Sequence, residues 1–148
     1  MNYVIRRAVP ADEQRIRELN AEMLRTIHHT EDTKGYEDGY LDKFFSGHED
    51  RIYVAADDKV IAFLSAEVHR ETKAYVYLDD FSVTAGCRQQ GVGSALLLTA
   101  EAYAKEIGIP VVTLHAEKTN QPALQFYKNR GYSVFRDDGS RYLLFKKL

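Results

Sequence analysis

The chain has 148 residues, 45% apolar and 28% charged, which suits one folded domain of ordinary globular composition and excludes wholesale disorder. Twenty Lys and Arg against 22 Asp and Glu leave a formal net charge of −2, without the basic excess of a general nucleic-acid binder. Cys87 is the only cysteine, so an internal disulfide and a cysteine-rich zinc site are both excluded. No run approaches the roughly 18 apolar residues of a membrane span, and the opening MNYVIRRAVPADEQ lacks the apolar core of a signal peptide. A cytoplasmic protein without membrane, metal or nucleic acid is expected.

Tyr3 to Arg7 alternates weakly and reads as a short strand. Pro10 suits the start of a helix, with Asp12 and Glu13 near its positive end. Ile16, Leu19, Met23, Leu24 and Ile27 recur at helical spacing. After a polar stretch from His28 to Gly39, Tyr40, Leu41, Phe44 and Phe45 predict a second short helix. Ile52–Ala56 and Val60–Val68 are β-branched runs joined by Asp57-Asp58-Lys59, the pattern of a hairpin. Tyr75–Val83 is a longer strand, and Thr84–Gln90 is a loop. Gly91 and Gly93 lead into a helix over Val92–Ile107, stopped by Gly108 and Pro110. Val111–Ala116 is a strand. Asn120 caps a helix that contains Pro122 in its first turn and ends at Gly131. Tyr132–Arg136 and Tyr142–Lys146 are strands around an Asp137-Asp138-Gly139-Ser140 turn. The order β-α-α-β-β-β-α-β-α-β-β predicts a single α+β domain over 1–148, its mixed, mostly antiparallel sheet flanked by helices on both faces.

The segment from Phe81 to Ser94 is the most informative. A strand runs through a loop with Arg88 and Gln89 into Gly91-Val92-Gly93-Ser94 at a helix start. Unpaired amides and the helix dipole make such a start a receiver of phosphate, and glycine lets the backbone come close. No Lys-Ser or Lys-Thr follows either glycine, as a Walker A loop needs, and Leu96 replaces the third glycine of a dinucleotide fingerprint.

Arg88-x-x-Gly91-x-Gly93 resembles the acyl-CoA pyrophosphate loop of the GNAT superfamily of N-acetyltransferases. Asn120-x-x-Ala123-x-x-Phe126-Tyr127, followed by Arg130-Gly131-Tyr132, resembles its second cofactor segment. Gln89 departs from the glycine that many members carry after the arginine. The resemblance implies acetyl transfer from acetyl-CoA to an amine acceptor by direct attack in a ternary complex. It implies cofactor contacts at Phe81, Ser82, Val83, Arg88, Gln89, Gly91, Val92, Gly93, Ser94, Asn120, Ala123 and Tyr127. Tyr127 matches the tyrosine that serves the CoA sulfur, and the Val83 amide matches a donor to the acetyl carbonyl. Asn120 fits both a cofactor contact and a plain N-cap.

Such chemistry has a protonation problem. An alkylamine of pKa ~10.4 is neutral in about one molecule in 2,500 at pH 7, a cost of roughly 4.6 kcal/mol. Family members often place an acidic residue as general base on the strand that here reads Leu78-Asp79-Asp80-Phe81. Adjacent residues face opposite sides of a sheet, so one of Asp79 and Asp80 is the candidate, and the sequence does not say which.

Other candidates read as structural or solvated: His28 and His29 with Glu31 and Asp32, His48-Glu49-Asp50, and His115. Cys87 lacks an identifiable partner for nucleophilic work. Glu67 is an outside candidate for acceptor contact. The resemblance puts the acceptor pocket at Met23–Phe45 and at the Asp137–Ser140 turn, both acidic on balance. A homodimer and a non-catalytic acyl-CoA-binding domain of the same fold remain open.

Overall fold

The structure, a computed structural model, describes residues 3–28, 35–83 and 91–148, without the side chains of 26–28, 80, 82 and 83. The strands are β1 (Val4–Arg7), β2 (Arg51–Ala56), β3 (Val60–His69), β4 (Tyr75–Val83), β5 (Val111–Glu117), β6 (Ser133–Asp137) and β7 (Arg141–Lys147). The helices are α1 (Glu13–His28), α2 (Asp42–Phe45), α3 (Val92–Glu106) and α4 (Gln121–Asn129). The strands form one sheet in the order β1-β2-β3-β4-β5-β7-β6. β1 with β2, β2 with β3, β5 with β7 and β6 with β7 are antiparallel, and β4 with β5 is parallel. The fold is α+β with a mixed, mostly antiparallel sheet, and its element order is the predicted one.

The chain divides into two compact units, Met1–Ala66 with Asp80–Ala100, and Glu67–Asp79 with Glu101–Leu148. In the first, Ile16 and Leu19 of α1 join Leu41, Phe44, Ile52, Val54, Val60 and Phe63 in one buried cluster. A fully buried side chain of this kind contributes roughly 1.5–3 kcal/mol. Farther along the predicted α1 stripe Met23 and Leu24 are only half-buried, and the side chain of Ile27 lies outside the described residues. Polar ties fix the entry to α1. Arg6 grips Asp12 through Nη1–Oδ2 at 2.7 Å and Nη2–Oδ1 at 3.0 Å, and the Val9 amide donates to the same carboxylate. Arg6 thereby holds the Asp12 carboxyl below its ordinary range. Arg15 Nε donates to the Val60 carbonyl at 2.9 Å, tying α1 to β3. The 57–59 joint is the predicted hairpin turn, closed by Asp57 N–H to Lys59 O and Lys59 N–H to Asp57 Oδ1.

In the second unit, β7 pairs with β5 along its whole length and carries β6 on its other side. β6 is exposed at every residue, as suits an outer strand. It begins at Ser133, one residue later than predicted, and ends at Asp137. The cause lies in the end of α4, whose cap consumes the Tyr132 amide.

Candidate active site

The first unit holds the predicted phosphate-binding elements. Phe81, Ser82 and Val83 are the last residues of β4. Arg88, Gln89 and Cys87 lie outside the described residues, so their predicted roles have no structural account. Gly91 stands immediately before α3 at φ +78°, a conformation costly for any residue with a Cβ. Space does not impose the glycine, since a Cβ there meets nothing within 4 Å. Backbone conformation does. Gly93 takes no such φ and sits in the first helical turn. The first intrahelical bond runs from Ala95 N–H to the Gly91 carbonyl at 3.0 Å. The amides of Val92 and Gly93 precede it, and the first turn carries no acidic side chain to repel an anion.

In the second unit, α4 is capped at both ends by local chemistry. Asn120 Oδ1 accepts from the Ala123 amide at 3.2 Å, so Asn120 is an N-cap. At the other end, Gly131 has φ +94°, its amide donates to Lys128 O, and the Tyr132 amide donates to Tyr127 O, both at 3.1 Å. This is a Schellman cap, with the usual apolar contact supplied by the Tyr127 and Tyr132 rings 5.9 Å apart. Phe126 meets Tyr127 edge-on at 5.3 Å. Tyr132 is itself anchored, its hydroxyl donating at 2.8 Å to Glu101, which also holds Lys146 Nζ at 3.0 Å. Tyr127 is thus fixed through its backbone and its ring. Burial pushes its phenol up to about 12, and burial with the Glu101 carboxylate raises Tyr132 further.

A third arrangement was not expected. Tyr77 of β4 pairs with Thr113 of β5 in the parallel register, so His115, two residues on, shares a face with Tyr77. The Tyr77 hydroxyl lies 2.6 Å from His115 Nδ1, and His115 Nε2 lies 2.7 Å from Asp138 Oδ2. Arg136 completes the chain, with Nε 2.6 Å from Asp138 Oδ1 and Nη2 3.2 Å from Oδ2. Arg136 first, then His115, draws the Asp138 carboxyl down to about 2. Asp79, at i+2 from Tyr77, projects from the same face. Asp79 thus shares a sheet face with Tyr77 and His115, while the side chain of Asp80 lies outside the described residues. His115, predicted as structural, and Tyr77, not singled out at all, form the best-connected titratable group of this unit. The sequence signal was alternation in each strand, but only the β4–β5 register brings the two together.

The other candidates contribute less. His29, Glu31 and Asp32 lie outside the described residues, as does the side chain of His28. His48 and Glu49 are exposed in the turn before β2, and Glu67 is half-buried on β3. Asp137 is occupied by Lys118 at 2.8 Å, so the acidity of the 137–140 turn is largely neutralised by neighbours. Among the described residues, no cluster of His, Cys, Asp and Glu is arranged to hold a metal, and no helix is long and apolar enough to cross a membrane. A concavity of about 510 Å³ in the second unit lies along α4, β6 and β7, lined by Leu124, Lys128, Tyr132 and Val134 but not by Asn120, Ala123 or Tyr127.

Comparison with known proteins adds an independent line. The Acetyltransferase (GNAT) family model matches residues 14–132. YwnH of Bacillus subtilis strain 168, provisionally named for phosphinothricin acetylation, is 30% identical over 118 residues, covering 68% of this chain and 69% of that one. Mycothiol acetyltransferase of Segniliparus rotundus is 30% identical over 92 residues, 59% of this chain, and the match spans only 35% of that longer protein. The PaiA N-acetyltransferase of Thermoplasma acidophilum, solved in complex with coenzyme A, has the same fold over 100% of both chains, with a TM-score of 0.81 at 20% identity. With the glycine-led helix, the capped Tyr127 segment and the predicted order of elements in place, the chain belongs to the GNAT acetyltransferase family.

Proposed function

We propose that the chain, over 1–148 as one functional domain in the cytoplasm, transfers an acetyl group from acetyl-CoA to a primary amine of a small molecule or protein. The amine attacks the thioester carbonyl directly in a ternary complex. The observation that carries the reading is the ordered pair of motifs, Gly91-x-Gly93 and Asn120 to Tyr127, within the residues matched by the family.

In this reading the Val92, Gly93 and Ser94 end of α3 takes the pyrophosphate, with Arg88 and Gln89 beside it. The backbone of Phe81, Ser82 and Val83 pairs with the pantetheine arm as an added strand does, and the Val83 amide donates to the acetyl oxygen as negative charge develops there. Asn120 and Ala123 meet the arm from the start of α4. Tyr127 serves the sulfur. A phenol raised to about 12 is a weaker acid than a thiol near 8.5, so Tyr127 stabilises the departing thiolate chiefly by donating a hydrogen bond. The amine proton leaves through the face that bears Asp79, Tyr77 and His115. Tyr77 with His115 suits the task because the phenol is already joined to an imidazole whose other nitrogen meets a carboxylate, so a proton taken up there has a partner in place. Asp79 or Asp80 is the acidic base that the family resemblance suggests.

The test is release of CoA thiol from acetyl-CoA across polyamines, aminoglycosides, amino acids and peptide N-termini. At least one class should raise release well above the hydrolytic background. Binding of acetyl-CoA with no stimulation by any amine would instead leave a CoA-binding domain without transfer.

A further inference from the structure

The turn between β6 and β7 does more than close a hairpin. Asp138 sits in that turn, yet its carboxylate reaches back to Nε2 of His115 on β5 at 2.7 Å. An ionised carboxylate only accepts hydrogen bonds, so Nε2 must carry the imidazole proton. In the neutral ring Nδ1 is then an acceptor, and the Tyr77 hydroxyl at 2.6 Å must be its donor. The tautomer of the histidine, and the direction of the bond beyond it, both follow from the residue in the turn.

We propose that Asp138 is a positioning residue for acetyl transfer, setting the His115 tautomer so that the Tyr77 oxygen is the group that receives the acceptor's proton. This rests on the reading of the Tyr77–His115 face as the proton exit. The balance of the step is simple. The ammonium or the attacking amine gives a proton to Tyr77 Oη, the Tyr77 hydroxyl proton passes to His115 Nδ1, and the resulting imidazolium keeps its Nε2–H on Asp138. No charge is created without a partner already in place. The arrangement also joins the proton relay to the very turn that the family resemblance assigns to the acceptor, so a shift of that turn would be felt at His115.

Arg136 makes the idea sharply testable. Its guanidinium can only donate, and its shorter contact, 2.6 Å from Nε, goes to Oδ1. Arg136 also donates from Nη2 to Oδ2, at the longer distance of 3.2 Å. In Asp138→Asn the amide carbonyl keeps the shorter Nε contact at the Oδ1 position, which turns the NH2 group toward His115. Nε2 must now accept, and the ring switches to the Nδ1–H tautomer, reversing the bond to Tyr77. By strand alternation and register, the charged or titratable groups on the same sheet face as His115 include Tyr75, Tyr77 and Asp79 on β4, Glu117 on β5, Arg136 on β6 and Arg141 on β7. None of these is altered by the substitution.

The experiment has two arms on the full chain. Long-range ¹H–¹⁵N spectra should find His115 in the Nε2–H form in the wild type and in the Nδ1–H form in Asp138→Asn. With the amine identified by thiol release, the variant's kcat should fall by ~10²-fold or more, as with other wrong-tautomer relays. Its acetyl-CoA affinity should be unchanged, and the limb of its pH–rate profile that reports the base should move. An Nδ1–H ring in the wild type, an unmoved tautomer in the variant, or a switched tautomer with unchanged kcat would each overturn the proposal. If no amine is acetylated even by the wild type, the acetyl-transfer reading fails first. The spectra then still decide whether Asp138 sets the ring.

Discussion

Two helices in this protein begin at the residues that carry its family motifs, and they begin in opposite ways. α4 satisfies its own first turn, because Asn120 Oδ1 accepts from the Ala123 amide at 3.2 Å. α3 cannot do so, because the residue before it is Gly91, which has no side chain to offer and is held at φ +78°. The first turn of α3 also lacks any carboxylate. A capped start has used part of its anion-binding capacity, while a glycine start keeps it for a ligand. In the proposed function the difference separates two jobs: α4 would hold Tyr127 still, and α3 would meet the anion.

The largest expected effect probes the rigid helix. Tyr127→Phe keeps the ring contacts with Phe126 and Tyr132 and removes only the hydroxyl. We expect kcat to fall by about 10²-fold with acetyl-CoA affinity nearly unchanged, measured by thiol release and calorimetry. An unchanged kcat would reduce the capped helix to a structural element.

Next comes the open helix. Gly91→Val places a β-branched residue in a left-handed conformation, at a cost of roughly 1–2 kcal/mol in stability. Displacement of the turn should also weaken charge-assisted bonds to the pyrophosphate, lowering acetyl-CoA affinity about tenfold or more. Loss of stability with full affinity would show that the glycine serves the turn and nothing else.

The smallest effect belongs to the cap. Asn120→Ala should lower unfolding free energy by about 1 kcal/mol in chemical denaturation. Its effect on cofactor affinity decides between the two roles that the sequence leaves open for Asn120. A change confined to stability makes it a cap alone.

How legible all this was depended on range. Helix stops at Gly108 and Gly131, the hairpin at Asp57–Lys59 and the buried pair Ile16 and Leu19 are local in origin, and they follow from spacing and turn chemistry. Boundaries slipped where a backbone group had a second use: Tyr132 looks like strand, but its amide closes the α4 cap. The motif residues around Gly91 and Asn120 were readable because each motif is contiguous. Tyr77, His115, Asp138 and Arg136 were not, since they come from three strands and a turn, and only the sheet register aligns them. His115 looked ordinary in its strand because nothing in its neighbours along the chain reveals a phenol on one ring nitrogen and a carboxylate on the other.

The central claim is that the glycine-led start of α3 belongs to an acetyl-CoA site, and calorimetric titration of the full chain with acetyl-CoA tests it most directly. The account predicts saturable one-site binding in the micromolar range, weakened about tenfold or more in Gly91→Val and retained in Tyr127→Phe. Well-folded wild-type protein that binds no acetyl-CoA at those concentrations would contradict it.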